Sequence, residues 1–370
     1  MKKILPLFLV PTLALTSAIA QAASLEVAGQ VSRVIVLPDD AAGKETQFLD
    51  NSITGSRFRL EGSQNLDHGM KAVARIEMRV QSNRSRNAFG GLRTDTGGNL
   101  SGDDSINLRD QDIYLSGNFG KISLGKGDGA GNETTEVDLS GTFAIAGARH
   151  ADLYGSFLLT SATPGGFSSA DYSVTEVYGS VDAYGNENRL RYDSLNYNGF
   201  SFAVSLGQQE TRGVAFRYAG GDDGTKYEVA GYYAMRGIST TTPAFRINDE
   251  RMGISGSILC SNGLNFTASY SGFDQDSDTG AETQERENMW FKAGYIHGKH
   301  AVAIDYGETE DKYQNSTEID SDGDTLGVSY VFTLAQGVDL LAGYREYSAD
   351  IAGVNTTDVE LVTFGSEFKF

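Results

Sequence analysis

ELVTFGSEFKF, residues 360–370, ends the chain. Phe364, Phe368 and Phe370 fall on even positions, while Thr363, Glu367 and Lys369 take odd ones. Alternation with a period of two marks a strand with one oily and one wet side. A terminus is ordinarily frayed and polar, so a strand this aromatic at its last residue must be held down. What its oily side faces, protein core or lipid, decides the fold.

The same alternation recurs from end to end. Leu25, Val27, Val31 and Ile35 alternate with Glu26, Gln30 and Ser32. In KAVARIEMRV, residues 71–80, Ala72, Ala74, Ile76, Met78 and Val80 share one side. Lys71, Arg75, Glu77 and Arg79 share the other, with Val73 the one exception. Comparable runs carry Phe200 to Leu206, Val214 to Tyr218, Met252 to Ile258, Leu264 to Tyr270, Met289 to Tyr295, Val302 to Tyr306, Leu326 to Tyr330 and Val338 to Tyr344.

Short turns such as 65–69, 117–120, 196–199, 260–263 and 297–299 alternate with long polar stretches. The long ones are 83–105, 127–186, 235–248, 272–286, 308–323 and 348–356. That rhythm describes an up-and-down antiparallel meander of about 16 strands with two unequal ends. A soluble sandwich also alternates, but three features favour a closed transmembrane β-barrel. Tyrosines gather near the ends of the oily faces, as interfacial girdles do. Arginines and lysines sit in mid-strand on the polar face, which suits a water-filled interior. The last strand is fully strand-like, as closure against the first strand over 25–36 requires.

Composition narrows the class. Met1-Lys2-Lys3, an apolar run from Ile4 to Ala14 and Ala20-Gln21-Ala22 read as a secretory signal over 1–22, leaving a barrel domain over 23–370. The run is short for a spanning anchor, and no later run is long enough for a membrane helix. Lys2 and Lys3 are the charges of that segment, so its removal takes 30 basic residues to 28 against 49 acidic. So acidic a chain lacks the basic footprint that nucleic acid requires. It also favours cations in a pore. Cys260 is the one cysteine, so no internal disulfide forms.

Four stretches carry a family likeness: LEVAGQVSRVIVLPDD (25–40), SRFRLEGSQNL (56–66), GNFGKISLGKGDGAGNETTEVDLSGT (117–142) and NRLRYDSLNYNGFSFAVSLG (188–207). In order and spacing they resemble the Gram-negative general diffusion porins. The resemblance implies a homotrimer of sixteen-stranded barrels in the outer membrane of a Gram-negative bacterium, with a long third loop folded into the pore. It implies passive diffusion of small hydrophilic solutes and ions, no cofactor, and outer-membrane lipid and lipopolysaccharide as surroundings. Phe370 matches the terminal residue by which the assembly machinery recognises the family. The stretch 126–186 is long for the third loop. It holds a candidate helix, ARHADLYGSFLL (148–159), and an alternating run, YSVTEVYGSV (172–181), either of which would cap, narrow or re-route the pore.

A pore selects by its width and by the charges at its narrowest part. Polar-face positions nominate a basic wall: Arg33 on the first strand, Arg57 and Arg59 on the second, Lys71, Arg75 and Arg79 on the third, and Arg109 on the fourth. Glu61 and Glu77 offset part of the repulsion such neighbours feel. The resemblance sets Glu133, Glu136 and Asp138 of the third loop across the pore as an acidic face. The alternative for these three is an ordinary solvated loop.

Other motifs carry less. GKISLGKG (120–127) has near-phosphate-loop spacing, but Gly127 replaces the required hydroxyl residue and the interior reads as strand. DQDSD (274–278) and DSDGD (320–324) lack the full pattern of a calcium loop, so no metal is assigned. His68, His150, His297 and His300 are scattered, and no nucleophile–histidine pair is visible, so no catalytic residue is assigned. A substrate-specific outer-membrane channel stays open as the alternative within transport. An outer-membrane barrel enzyme and a secreted β-adhesin are the alternatives from other classes.

Overall fold

The last strand finds its partner at the start of the chain. In the computed structural model the described residues are 24–85, 105–149, 151–160, 172–179, 182–239, 246–277, 283–314 and 319–370. The signal segment read over 1–22 lies outside them. The strands are β1 (Ser24–Asp39), β2 (Gln47–Asp50), β3 (Arg57–Asn65), β4 (Lys71–Gln81), β5 (Ser105–Gly117), β6 (Gly120–Gly127), β7 (Glu187–Asp193), β8 (Phe200–Gly207) and β9 (Arg212–Asp222). They continue with β10 (Thr225–Ser239), β11 (Arg246–Leu259), β12 (Leu264–Ser277), β13 (Thr283–His297), β14 (His300–Gln314), β15 (Ser321–Ala335), β16 (Val338–Ile351) and β17 (Val359–Lys369). Among the described residues no helix is long and apolar enough to cross a membrane.

From β3 onward each strand pairs antiparallel with the next, and β17 pairs with β1 from Gln30↔Lys369 to Asp39↔Glu360. The sheet therefore has no free edge. Of its 17 strands, β2 is a four-residue insert, which leaves a closed wall of sixteen. On its other side β1 pairs with β3 up to Gln30↔Arg57 and then with β2 from Arg33↔Asp50. Gly29 and Phe370 exchange two backbone hydrogen bonds of 2.9 Å, so the terminal aromatic residue is tied in.

The oily side is the exposed one. On β14, Val302, Ile304 and Tyr306 are exposed while Ala301, Ala303 and Asp305 are buried. Phe364 and Phe368 are exposed on β17, with Thr363 and Glu367 buried on the opposite parity. A water-soluble sheet buries the apolar face, so this inversion marks a lipid-facing wall around a polar interior.

Three stretches expected to be loops are mostly strand. β10 runs on to Ser239 and β11 starts at Arg246; β12 reaches Ser277 before β13 begins at Thr283; β14 reaches Gln314 before β15 begins at Ser321. The wall alternates there too, but outward positions become Glu308 and Glu310 on β14, and Asp322 and Asp324 on β15. Above the apolar band both faces are wet, so the hydrophobic period vanishes although the hydrogen-bond ladder continues. Tyr270 and Tyr306 mark this border, each donating to a carboxylate, Glu287 and Glu308, at 2.8 Å. Both acidic calcium-like stretches fall largely in these strand extensions, and no metal-holding cluster occurs among the described residues. GKISLGKG is strand β6 itself.

The third long connection, 128–186, departs from its expected elements. Of the stretch 148–159, residues 151–156 are consecutive turns, with the Asp152 and Phe157 N–H groups bonding the carbonyls of Arg149 and Tyr154 three residues back. Leu153, Tyr154, Phe157, Leu158 and Leu159 are all buried, so apolar contacts on every side replace a helix stripe. The alternating run instead contains one helical turn, α1 (Val174–Val177), begun where the Glu176 carboxylate accepts from the Ser173 N–H at 2.6 Å.

These turns build the main hydrophobic core. Ile145, Leu153, Tyr154, Phe157, Leu159, Val174, Val177 and Tyr178 cluster with Val34 and Val36 of β1, Leu341, Tyr347 and Ile351 of β16, and Val359 and Leu361 of β17. The wall residues in this cluster stand on the inward face of their strands. Tyr154 shares a 2.9 Å hydrogen bond with Thr363, and Tyr178 donates to the Asp324 carbonyl at 2.7 Å.

Candidate pore constriction

The basic wall begins at a like-charge pair. Arg57 of β3 stands directly across from Arg79 of β4. Such a pair is unfavourable unless carboxylates lie near. Glu77 supplies one, 3.8 Å from the Arg57 guanidinium and 2.9 Å from that of Arg109. Arg109 reaches it through a bulge. Asp110 pairs with Glu77 and Leu108 with Met78, which leaves Arg109 as the extra residue of β5.

These guanidinium groups line a polar cavity of about 540 Å³ together with the third connection. Arg57, Arg79, Arg84 and Arg109 come from the β3–β5 side, and Glu133, Glu136, Asp138, Arg149 and Asp152 from the connection. The cavity thus gathers six of the ten nominated charges: Arg57, Arg79, Arg109, Glu133, Glu136 and Asp138.

The other four stand elsewhere. Arg33 is a correction: it shares the odd parity of Val31 and Ile35 and lies on the outward face, paired with Asp50 at 2.5 Å. Counting from Gln30 and Ser32, which are buried, gives this answer directly. Arg75 is engaged by Asp112 at 3.0 Å and Asp110 at 3.5 Å. Arg59 faces Glu77 across the β3–β4 ladder, and Lys71 sits beside the turn, opposite Asn65 and Ser116.

The three acids differ in what they can do. Glu133 is exposed to the cavity and adopts φ of 64°, with its N–H bonded to Asp182 at 3.3 Å. Glu136 is almost wholly buried and 3.2 Å from Arg149, which Asp152 also approaches at 2.8 Å. Burial, with Asp182 and Asp152 nearby, pushes the Glu136 carboxyl well above the usual carboxylate range. Arg149 is held firmly charged by the same carboxylates. Asp138 is spent on Lys292 of β13 at 2.7 Å, so its charge is already compensated.

The connection is fixed to the wall through its backbone. Ser205 and Ser255 accept from the N–H groups of Ala130 and Val137, and Ser257 from that of Leu139, at 2.9 to 3.0 Å. Ser255 and Ser269 donate back to the carbonyls of Thr134 and Thr135. All four serines are buried, on the parity opposite to the exposed apolar residues of β8, β11 and β12.

Arg84, Arg149, Asp152, Arg217 and Glu228 line the cavity without having been nominated. Arg217 and Glu228 form an ion pair on the polar parity of β9 and β10, so face counting would have found them. Arg149 and Asp152 lie in irregular backbone, where no period points to them.

A family model described as Gram-negative porin matches residues 11–352. No curated protein sequence matches the chain. An anion-selective porin from Comamonas acidovorans superposes with a TM-score of 0.63 at 15% identity, over 94% of this chain and 100% of that one. The outer membrane channel DcaP of Acinetobacter baumannii gives 0.63 at 10% identity, over 94% and 98%. Salmonella typhi OmpF, solved with daunomycin, gives 0.58 at 14% identity, over 94% and 98%.

Proposed function

The chain belongs to the Gram-negative porin family, and we propose that its third long connection folds into the bore and sets what the pore admits. The protein is an outer-membrane diffusion channel. The observation that carries the finer reading is the row of inward serines holding the backbone of 130–139, with Glu133 left free beside Arg57, Arg79 and Arg109. Carboxylate and guanidinium groups across one narrow water column create a transverse field. Such a field orders water and dipolar solutes, and an apolar solute must displace that water. The solutes are therefore small and hydrophilic, and they move downhill without cofactor or catalysis.

The apolar cluster against β1, β16 and β17 fills one side of the bore in this reading. Water then runs along the β3–β10 side. The homotrimer is part of the same proposal. Arg33 stands half-exposed on the outward face between Val31 and Ile35, paired with the buried Asp50, and lipid would not solvate its charge. A neighbouring copy covering this part of the wall removes that cost, while lipid and lipopolysaccharide cover the rest. Phe370 serves the assembly machinery.

Planar bilayers test the reading. Purified protein gives stepwise openings in threes, and Glu133→Gln shifts the reversal potential towards anions. Openings with no change in selectivity for Glu133→Gln contradict the constriction. A substrate-specific channel is the second reading, favoured by the bulk of the apolar module. Liposome swelling separates the two, because a general porin ranks uncharged sugars by size alone.

A further inference from the structure

At the end of the barrel that carries the long connections, a second polar cavity of about 740 Å³ opens beside the constriction, with Gly185 and Asn186 lining both. Its floor is a stack of two guanidinium groups on one ring. Arg236 of β10 and Arg251 of β11 lie 4.4 and 4.7 Å from the centre of the Tyr184 ring. Behind them Asp249, with a side chain 0% exposed, holds both at 3.2 and 3.0 Å. The Tyr184 hydroxyl donates to the Asp249 carbonyl at 2.5 Å, locking the ring.

Resting on the channel reading above, we propose that this basin is an entry site for small anions that carry a carboxylate on a hydroxylated body. A guanidinium has five N–H groups. Asp249 and the Asp182 carbonyl take four of the ten on this pair. Arg236 Nε, itself buried, has no hydrogen-bond partner among the described residues. The remaining guanidinium N–H groups are donors of the kind that suits a carboxylate. The buried Asp249 fixes the pair from behind, Lys126 adds a third positive charge at the rim, and Glu187, which also lines the basin beside Arg236, offsets part of that charge. Gln208, Gln209 and Thr211 supply groups for hydroxyls, and no large aliphatic side chain lines the basin. In a chain of net charge −19, this local field draws anions to a mouth that the whole surface would repel.

The test uses the full-length protein in planar bilayers, with sodium glucuronate and glucose added in turn to the side of the long connections. Glucuronate interrupts the KCl current at concentrations at least about fivefold below those glucose needs. The Arg236→Gln/Arg251→Gln chain requires about tenfold more glucuronate, and Lys126→Gln, which leaves the Tyr184 stack intact, about twofold more. Should the double variant fail to fold, Lys126→Gln and the glucuronate–glucose contrast carry the result. KCl current with equal effects of the two solutes overturns the site alone. Absence of any KCl current overturns the channel reading and the site together.

Discussion

Lys292 of β13 and Asp138 of the third connection form an ion pair 2.7 Å long, with side chains 0% and 1% exposed. The ammonium also donates to Thr142 at 3.0 Å and to Ser140 at 3.3 Å, and lies 4.7 Å from the Trp290 ring centre. One side chain therefore anchors a turn of the connection through every donor it has. Removing one partner of such a pair strands the other charge, at a cost of about 3–5 kcal/mol. Lys292→Met loosens the connection, lowers the thermal unfolding midpoint in detergent and raises open-channel current noise. Lys292→Met/Asp138→Leu recovers most of the midpoint, because no charge is left behind. A single variant as quiet and stable as the parent contradicts the anchor.

With the third connection in the bore as proposed, Glu133 and Arg79 tune permeation in opposite directions. Glu133 is the exposed acid of the cavity, and Arg79 faces Arg57 across the ladder. Removing one charge near a narrow water column changes an ion's energy there by about 0.5–1 kcal/mol, roughly 2–5-fold in permeability ratio. Reversal potentials in a KCl gradient move towards anions for Glu133→Gln and towards cations for Arg79→Gln. Shifts of the same sign refute the assignment.

Acidity strengthens the packing of the third connection. Burial raises the Glu136 carboxyl well above its ordinary 4.5, so the folded chain holds this proton more tightly than the unfolded chain. The contribution is complete below pH 4.5 and fades as pH rises through the raised value. Protease resistance of the connection falls across that window in the parent and falls less in Glu136→Gln, where burial still raises the Asp128 and Asp182 carboxyls. A profile in the variant as steep as the parent's assigns the effect to another group.

The seam between the chain ends is tight. A Cβ built on Gly29 meets the Phe370 ring and the Arg57 carbonyl oxygen, each at 2.8 Å. Gly29→Val forces the two apart at a cost of about 1–3 kcal/mol, and Phe370→Ala leaves the seam without its cover. Both lower the temperature at which the barrel changes its electrophoretic mobility in detergent, with Gly29→Val the larger effect. Equal mobility transitions in all three chains contradict the seam.

The barrel was legible because lipid inverts the usual sheet: Phe364 and Phe368, or Val302 and Ile304, announce their face by parity alone. The charged cavity was legible in part, since Arg57 and Arg79 sit on regular strands while Arg149 and Asp152 sit in irregular backbone. Arg33 was misassigned by a count that its neighbours Gln30 and Ser32 correct. The apolar module left a signal that went unread. Val34-Ile35-Val36, Leu340-Leu341 and Leu361-Val362 are apolar on successive residues, which means both faces of the wall are dry there. One face meets lipid, and the other packs on Ile145, Leu153, Tyr154, Phe157, Leu159 and Tyr178.

Thiol labelling tests the routing of the bore most directly. In a Cys260→Ser background, Arg79→Cys and Leu361→Cys both place a thiol on the inward face, the first beside the charged cavity and the second under the apolar module. A charged, water-borne thiol reagent added during single-channel recording cuts the current through Arg79→Cys and leaves that through Leu361→Cys untouched. Current lost through Leu361→Cys but kept through Arg79→Cys would place the water path on the other side of the barrel and contradict the account.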